Sequence, residues 1–219
     1  HFIIADPVSD IFIDDSYRND HSAVIWHMPT SERYVSITFD DGPDQLYTPQ
    51  ILDILARKNV SATFFVVGHM VKKYPHILQR IHKAGHDIAN HTWAHYRLDE
   101  LSFSQIQLQI SETSTMIQSL GIPMTPYFRP PGGRYNNYVI RAAQNDGLSL
   151  IMWNVNAADY KHLDGSFPSV HSTIQRVINN VQPGSIILMH NSLIAIQALP
   201  IIIDQLHQMD YSIGRLKWK

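Results

Sequence analysis

The sequence contains no cysteine among its 219 residues. A disulfide framework, a cysteine zinc ribbon and a thiol nucleophile are therefore excluded. It also lacks an apolar run long enough to cross a bilayer, so we expect no membrane span. Charged residues make up 16% of the chain, the net charge is −2 and there is no basic block, so we do not expect a nucleic acid partner.

The chain begins HFIIADPVSD, which has neither an initiator methionine nor the apolar core of a signal peptide. We therefore expect a mature or trimmed chain. Residues 1–32 mix acidic and apolar side chains irregularly, which predicts an N-terminal extension packed on the domain. Hydrophobic residues make up 44% of the chain, which is enough for one sizeable core in residues 33–219.

Short β-rich runs alternate with helical patterns along this domain, in about seven β/α units. The first strand is predicted at Tyr34–Phe39 and the clearest helix at residues 102–120. Thr48 is predicted to cap the first helix, with Pro49 at its first position. Repeated β/α units imply an α/β fold with a parallel sheet, either closed as a barrel or open and doubly wound. Both architectures place functional residues at the C-terminal ends of the strands.

Ionisable side chains follow these predicted strands one after another. Because the C-terminal ends of parallel strands meet at one edge of a sheet, we expect the side chains to converge on one site. The residues concerned are Asp40, Asp41, His91, His95, Arg129, Asp159 and His190.

The stretch ITFDDGPD places two carboxylates side by side at a strand end. Like charges in contact are tolerated where a cation lies between them or beside one of them. One Asp with the pair His91 and His95 is a three-ligand set suited to zinc, which leaves the other Asp free to act as a base. A glycosidase is disfavoured, since its two carboxylates lie about 5–9 Å apart across the sugar. The chain's 13 histidines make a chance i, i+4 pair expected, and the second such pair, His82 and His86, is interpreted as structural.

Five motifs now stand in order along the chain: TFDDGPD, NHTWAH, RPPGGRY, WNVNAADY and ILMH. They resemble the successive motifs of the polysaccharide deacetylases, also called NodB-homology domains or family-4 carbohydrate esterases. The resemblance covers about Tyr34 to Ile213. It implies a distorted (β/α)7 barrel with parallel strands, in which residues 33–219 form the catalytic domain. It also implies metal-dependent removal of N- or O-acetyl groups from sugars.

Carried over position by position, the resemblance implies that Asp40 is the general base and that Arg129 pairs with it. His190 would be the general acid, held charged by Asp159. The ion, Zn²⁺ or alternatively Co²⁺ or Ni²⁺, activates water and polarises the acetyl carbonyl when bound. The metal ligands would be Asp41, His91 and His95.

Substrate contacts are expected from the loops that carry the motifs. The backbone N–H near Gly132 would face the oxyanion, by analogy with the family. Trp93, Tyr135 and Tyr160 are candidates for stacking on sugar faces, although core packing is an equally good interpretation of aromatic residues there.

The sequence departs from the family pattern in the fourth motif, where Asn156 and Tyr160 replace the usual Asp and Trp. In the third motif Gly132 and Gly133 stand where an aromatic residue often follows the two prolines. Asn191 stands where an Asp usually follows the last His. These changes affect the expected substrate range and rate, not the reaction class.

Three functions follow as hypotheses. The first is N-deacetylation of N-acetylglucosamine in peptidoglycan or a chitin-like glycan. The second is O-acetyl ester hydrolysis on xylan or another acetylated polysaccharide, and the third is a carbohydrate-binding domain without turnover. Because such glycans lie outside the cytoplasm, we expect a secreted, periplasmic or cell-envelope protein. The sequence carries no signature of oligomeric state.

Overall fold

A computed structural model describes residues 4–5, 12–13, 24–160 and 166–218. Two short strands, β1 and β2, pair antiparallel near the N-terminus, and every ladder in the main sheet is parallel. The strands are β1 (Ile4–Ala5), β2 (Phe12–Ile13), β3 (Val24–Ile25), β4 (Tyr34–Asp40), β5 (Thr63–Val66), β6 (Asp87–Asn90), β7 (Tyr127–Phe128), β8 (Ser149–Ile151), β9 (Val155–Asn156), β10 (Ile186–His190) and β11 (Ser212–Gly214).

The helices follow the strands as β/α alternation predicts. They are α1 (Tyr47–Lys58), α2 (Gly68–Lys73), α3 (Pro75–Lys83), α4 (Phe103–Ser119), α5 (Asn137–Asn145), α6 (Val170–Asn180) and α7 (Leu193–Gln208). The predicted helix at residues 102–120 is confirmed as α4. None of the helices in the described ranges is both long and apolar enough to cross a bilayer.

The main sheet has nine strands in the order β3-β8-β7-β6-β5-β4-β10-β9, with β11 paired to β4. β8 lies near one end of this order and β9 at the other, yet β8 ends at Ile151 and β9 begins at Val155. Four residue steps reach only about 14 Å. The sheet must therefore curl so that its two ends approach each other. This curled sheet decides between the closed and open arrangements that the β/α pattern allowed, and it confirms the distorted parallel barrel that the family resemblance implies.

Asn154 lies in the segment that closes the barrel between β8 and β9. Its backbone N–H donates to the Ile186 carbonyl (3.3 Å), and its side-chain Oδ1 accepts the Ile186 N–H (2.8 Å). Its Nδ2 also donates to Ser185 Oγ (3.1 Å). Side-chain and backbone hydrogen bonds thus replace a regular ladder at the point of closure.

Residues alternate across β4, as they do in any strand. Val35, Ile37 and Phe39 pack in the hydrophobic core that includes residues of α1, α6 and α7. Thr38 and Asp40 have the opposite parity, and both accept hydrogen bonds from one buried arginine. The alternation therefore delivers Asp40 to the barrel interior at the C-terminal end of the strand.

Two local predictions are wrong. Val24–Ile25, within the segment predicted to be irregular, pairs with β8, because two residues are too few to show a periodic pattern. The predicted start of α1 is also wrong: Thr48 does not cap the helix, and Pro49 is its third residue and not its first. The Asp44 carboxylate accepts the N–H groups of Leu46 (2.8 Å), Tyr47 (2.5 Å) and Thr48 (3.3 Å) instead. The domain boundary at residue 33 stays a prediction, and residues 1–3, 6–11 and 14–23 of the extension lie outside the described residues.

Candidate active site

The predicted site residues meet at one end of the barrel. β4 and β10 lie side by side in parallel, and the last pair of their ladder joins Asp40 to His190. β6 delivers His91 directly after its last residue, and the backbone N–H of Arg129 donates to Asn90 of the same strand (3.0 Å). The convergence expected from parallel strand ends is therefore present.

Arg129 is a wholly buried cation beside Asp40. Its Nη1 donates to Asp40 Oδ1 (2.7 Å) and to Thr38 Oγ1 (2.8 Å). Its Nε and Nη2 donate to the carbonyls of Ile151 (3.1 Å) and Met152 (3.0 Å). Burial lowers the pKa of Arg129, and the ion pair with Asp40 opposes that shift. A fixed positive charge therefore stands against one oxygen of Asp40.

His91, His95 and Asp41 form a three-residue cluster next to this pair. His91 Nδ1 lies 2.7 Å from the Arg129 carbonyl, which can only accept, so Nδ1 carries the proton and Nε2 is left as a lone-pair donor. Nε2 of His91 lies 3.4 Å and Nε2 of His95 3.1 Å from Asp41 Oδ1. One potential ligand atom from each of the three residues lies within 4.8 Å of the others.

This cluster fits a zinc ion. Two ligand atoms bound tetrahedrally at about 2.0 Å lie about 3.3 Å apart, close to both distances from Asp41 Oδ1. One carboxylate oxygen and two imidazole nitrogens are also a usual donor set for catalytic zinc. The second shell is present too, since a backbone carbonyl fixes the tautomer of His91.

Within the cluster, Asp41 and the histidines shift each other's pKa values toward the charged forms. Partial burial raises the pKa of Asp41, but hydrogen bonds with His91 and His95 outweigh it and hold the pKa well below its usual value. The hydrogen bond with Asp41 raises the pKa of His95 above its ordinary value. A carboxylate that stays ionised is the form that binds a cation.

Left-handed backbone conformations are concentrated in these loops. Asp41 (φ 72°), Thr92 (φ 68°), His95 (φ 56°) and Ala158 (φ 50°) all have positive φ without being glycine. Such conformations cost free energy and persist where surrounding contacts enforce them. Here Thr92 N–H donates to Asn90 Oδ1 (2.9 Å), and His95 N–H donates to Thr92 Oγ1 (3.1 Å). The loop that aims the two histidines is thus held by its own side chains.

His190 and Asp159 form a second charged pair in the site. His190 Nδ1 lies 2.9 Å from Asp159 Oδ1, and Asp159 Oδ2 accepts from His190 N–H (2.8 Å) and from Ser192 Oγ (3.1 Å). Burial lowers the pKa of His190, but the Asp159 carboxylate outweighs it and raises the pKa to about 9. Imidazolium is therefore the resting form at neutral pH.

The four predicted substrate contacts occupy different settings. The Tyr160 ring meets His190 edge-on at 5.0 Å, so this side chain lies in the site. Gly132 is exposed with a left-handed φ of 61°. Trp93 packs over the backbone of Gly68, and Tyr135 packs against the core. Their roles toward a sugar stay predictions.

Two supporting residues escaped the sequence analysis. Thr38 accepts from Arg129, and its position two residues before Asp40 on the same strand was a signal that could have found it. Asn191 was noticed only as a departure from the motif, although its amide touches the backbone of Asp40.

Comparison with known proteins agrees with this geometry. A family model described as polysaccharide deacetylase matches residues 27–151. The chain is 34% identical over 168 residues to a peptidoglycan-N-acetylglucosamine deacetylase of Bacillus cereus, covering 77% of each chain. It is 33% identical over 174 residues to a chitooligosaccharide deacetylase of Sinorhizobium fredii, covering 78% of each. The chain belongs to the polysaccharide deacetylase family.

A solved structure adds a contrast. Wild-type BA3943 of Bacillus anthracis, described as a CE4 family pseudoenzyme, matches with a TM-score of 0.82 at 30% identity, over 88% of this chain and 67% of that one. Because a protein described in these words shares the fold, the fold by itself does not establish turnover. The argument for catalysis rests on the site residues.

Proposed function

We propose that this protein is a metal-dependent N-deacetylase. It hydrolyses the acetamide of N-acetylglucosamine units in peptidoglycan or a chitin-like polysaccharide and releases acetate. The observation that carries the proposal is that the two adjacent carboxylates have different partners. Asp41 lies with His91 and His95, while Asp40 is tied separately to Arg129. The named relatives, which are N-deacetylases, favour an amide over an ester substrate.

Asp41, His91 and His95 would hold the ion, which we propose is Zn²⁺; Co²⁺ and Ni²⁺ accept the same ligands. When bound, the ion lowers the pKa of water and polarises the acetyl carbonyl. The remaining chemistry belongs to side chains of this chain.

Asp40 takes the proton of the attacking water. Its Oδ1 is occupied by Arg129, whereas its Oδ2 lies 3.7 Å from His91 Nε2 and so faces the ligand cluster. Oδ2 is therefore the oxygen in position to accept the proton, while Arg129 keeps the carboxylate oriented.

His190 protonates the leaving amine. Its Nδ1 proton is committed to Asp159, so the proton on Nε2 is the one available for transfer. Amines leave poorly as anions, and a positioned acid is what cleavage of the C–N bond needs. The products are acetate and a free amino sugar.

The proposal also assigns residues that contact the oxyanion and the sugar. A backbone N–H near Gly132 would stabilise the oxyanion, and Tyr160, Trp93 and Tyr135 would contact the glycan. Glycans of this kind lie outside the cytoplasm, so we propose a secreted, periplasmic or cell-envelope location.

The test is acetate release from chitin oligomers, peptidoglycan and acetylated xylan, with and without a chelator, by the wild type and Asp40→Asn. The variant should keep its metal by elemental analysis and lose activity by about 10²–10⁴-fold. Asp204→Asn is the matched control, since Asp204 is an exposed partner of Lys58. Near wild-type turnover by Asp40→Asn would exclude the base assignment. Release from xylan alone would indicate an esterase, and metal without release from any glycan would indicate a binding domain.

A further inference from the structure

The guanidinium of Arg129 lies inside the barrel with none of its surface exposed. Four of its five N–H groups donate to oxygen atoms: Nε to Ile151, Nη1 to Thr38 and Asp40, and Nη2 to Met152. All N–H bonds of a guanidinium lie in the plane of the group. These hydrogen bonds therefore hold the edge of the guanidinium and do not cover its faces.

Two aromatic rings lie against the same guanidinium. The Cζ atom of Arg129 is 4.0 Å from the centre of the Phe65 ring and 5.4 Å from the centre of the Trp153 ring. Both distances fall within the range of about 6 Å in which the face of a ring attracts a cation. Phe65 lies on β5, next to β4 in the sheet, and Trp153 lies in the segment between β8 and β9. The two rings therefore reach the cation from different parts of the barrel wall.

The indole of Trp153 contributes its ring to this contact, and not its N–H group. The side chain is buried, yet Nε1 has no hydrogen-bond partner among the described residues. A buried indole N–H usually finds a partner, because losing its hydration costs free energy. Phe65, which is also buried, has no polar atom in its side chain. At both positions the feature that meets Arg129 is an aromatic ring.

We infer that Phe65 and Trp153 are positioning residues: their rings fix the plane of the Arg129 guanidinium and, through it, the Asp40 carboxylate. The inference rests on the proposed role of Asp40 as the base. Nη1 of Arg129 binds Oδ1 of Asp40, so a tilt of the guanidinium would turn the carboxylate and move Oδ2 away from the ligand cluster. The rings also exclude water from the ion pair, which strengthens the attraction between the two charges.

Phe64 provides a matched control for Phe65. The two residues are neighbours on β5 and equally buried, but they point to opposite sides of the strand and pack in different hydrophobic clusters. The Phe64 ring stacks on Phe39, with the ring centres 5.1 Å apart. Phe64→Leu and Phe65→Leu therefore remove the same ring from equally buried places, and only the second removes a ring from Arg129. A packing role for Phe65 predicts equal effects of the two substitutions.

The experiment measures, for each variant, the hydrogen exchange of the Arg129 Nε and Nη protons by NMR, the Zn²⁺ affinity, and kcat and KM for acetate release from a chitin oligomer. In Phe65→Leu the Arg129 protons should exchange about 10-fold faster or more, because the cation is freer to leave its place. Its kcat should fall by about 10–100-fold, with KM and Zn²⁺ affinity near those of the wild type, since only the orientation of the base is disturbed. Phe64→Leu should keep the wild-type exchange and kcat. Trp153→Leu should behave like Phe65→Leu, whereas Trp153→Phe, which keeps a ring, should behave like the wild type.

Equal changes in Phe64→Leu and Phe65→Leu overturn the inference, because they would indicate packing alone. Faster exchange in Phe65→Leu without a loss of kcat overturns it as well, since the rings would then not act on Asp40. Should Phe65→Leu fail to fold, the Trp153 variants decide: a loss in Trp153→Leu that Trp153→Phe does not share supports the inference, and equal results overturn it. A wild type that releases no acetate contradicts the proposed function itself. Proton exchange at Arg129 then tests the inference alone, which keeps the two failures distinct.

Discussion

Two histidine pairs with the same i, i+4 spacing flank the strand β6, but only one of the two pairs converges on the candidate site. His82 and His86 precede the strand, whereas His91 and His95 follow it. The second pair brings its rings to 5.1 Å and both Nε2 atoms to Asp41. In the first pair, His82 is exposed on α3 and His86 is buried. Spacing alone therefore does not make a site.

The difference comes from the backbone between the two members of each pair. Between His91 and His95 the chain turns through a left-handed Thr92, held by Asn90, so that both rings face one point. Between His82 and His86 the helix ends and Gly85 redirects the chain. His86 Nδ1 then accepts a hydrogen bond from the Ala62 N–H (3.1 Å), so the lone pair of this nitrogen is not free to bind a metal.

The largest expected effect is on the pair that faces Asp41. His91→Ala and His95→Ala should each abolish stoichiometric Zn²⁺ binding and lower kcat/KM by about 10³-fold or more, since the ion contributes several kcal/mol to the transition state. Elemental analysis and acetate release measure the two effects. Full activity in either variant would contradict the ligand assignment.

The effect of metal removal on thermal stability should also distinguish the two histidine pairs. At 100 times its Kd, Zn²⁺ should stabilise the wild type by about 2.7 kcal/mol, because only the folded chain assembles the three ligands. Thermal melting with Zn²⁺ and with a chelator measures this shift. We expect the same shift in His82→Ala and none in His91→Ala, and a shift of equal size in both variants would break the contrast between the pairs.

His86, from the other pair, should make the free energy of unfolding depend on pH. Burial, together with the nearby Arg215 charge, lowers the pKa of His86 to about 4. The unfolded chain, with an ordinary pKa of about 6.5, binds more protons between these values. The free energy of unfolding should therefore fall by about 2–3 kcal/mol as the pH drops from 6.5 to 4. Urea unfolding at a series of pH values measures this loss.

His86→Phe serves as the control for that titration. It removes the titrating group while keeping an aromatic ring against Phe64, which His86 meets edge-on at 5.4 Å. The variant should be less stable near pH 7, because the Ala62 N–H loses its acceptor, and should show a smaller loss toward pH 4. An identical pH dependence in wild type and variant would refute the assignment.

The smallest effect is expected at His82, which is exposed on α3. His82→Ala should change the free energy of unfolding by no more than about 0.5 kcal/mol and leave acetate release unchanged. A loss of activity in this variant would mean that the two pairs are less different than their surroundings indicate.

Much of the fold was predictable because it rests on repeated local patterns. The β/α alternation, the helix at residues 102–120 and the meeting of strand ends all follow from periodicity and from the geometry of parallel sheets. The cap of α1 was missed because Asp44 reaches it across a turn, and Thr48 is instead turned toward Asn191. The strand Val24–Ile25 is defined only by its pairing with β8.

The contacts that organise the site join residues far apart along the chain. The Arg129 carbonyl that sets the tautomer of His91 lies 38 residues away, and the Asn191 amide lies 151 residues from the Asp40 carbonyl. No local pattern encodes such pairs. A motif can show that these residue types are present, but not which atom of each faces which partner.

The sequence by itself indicated a metal site with a spare carboxylate, and the resemblance of its five motifs to the polysaccharide deacetylases implied the reaction class. Only the tertiary structure decided which nitrogen of His91 faces Asp41, which oxygen of Asp40 is left open and which backbone carbonyl the Asn191 amide contacts. The physical reason is that these outcomes depend on left-handed turns and on hydrogen bonds between distant strands. Those features take shape only when the barrel closes.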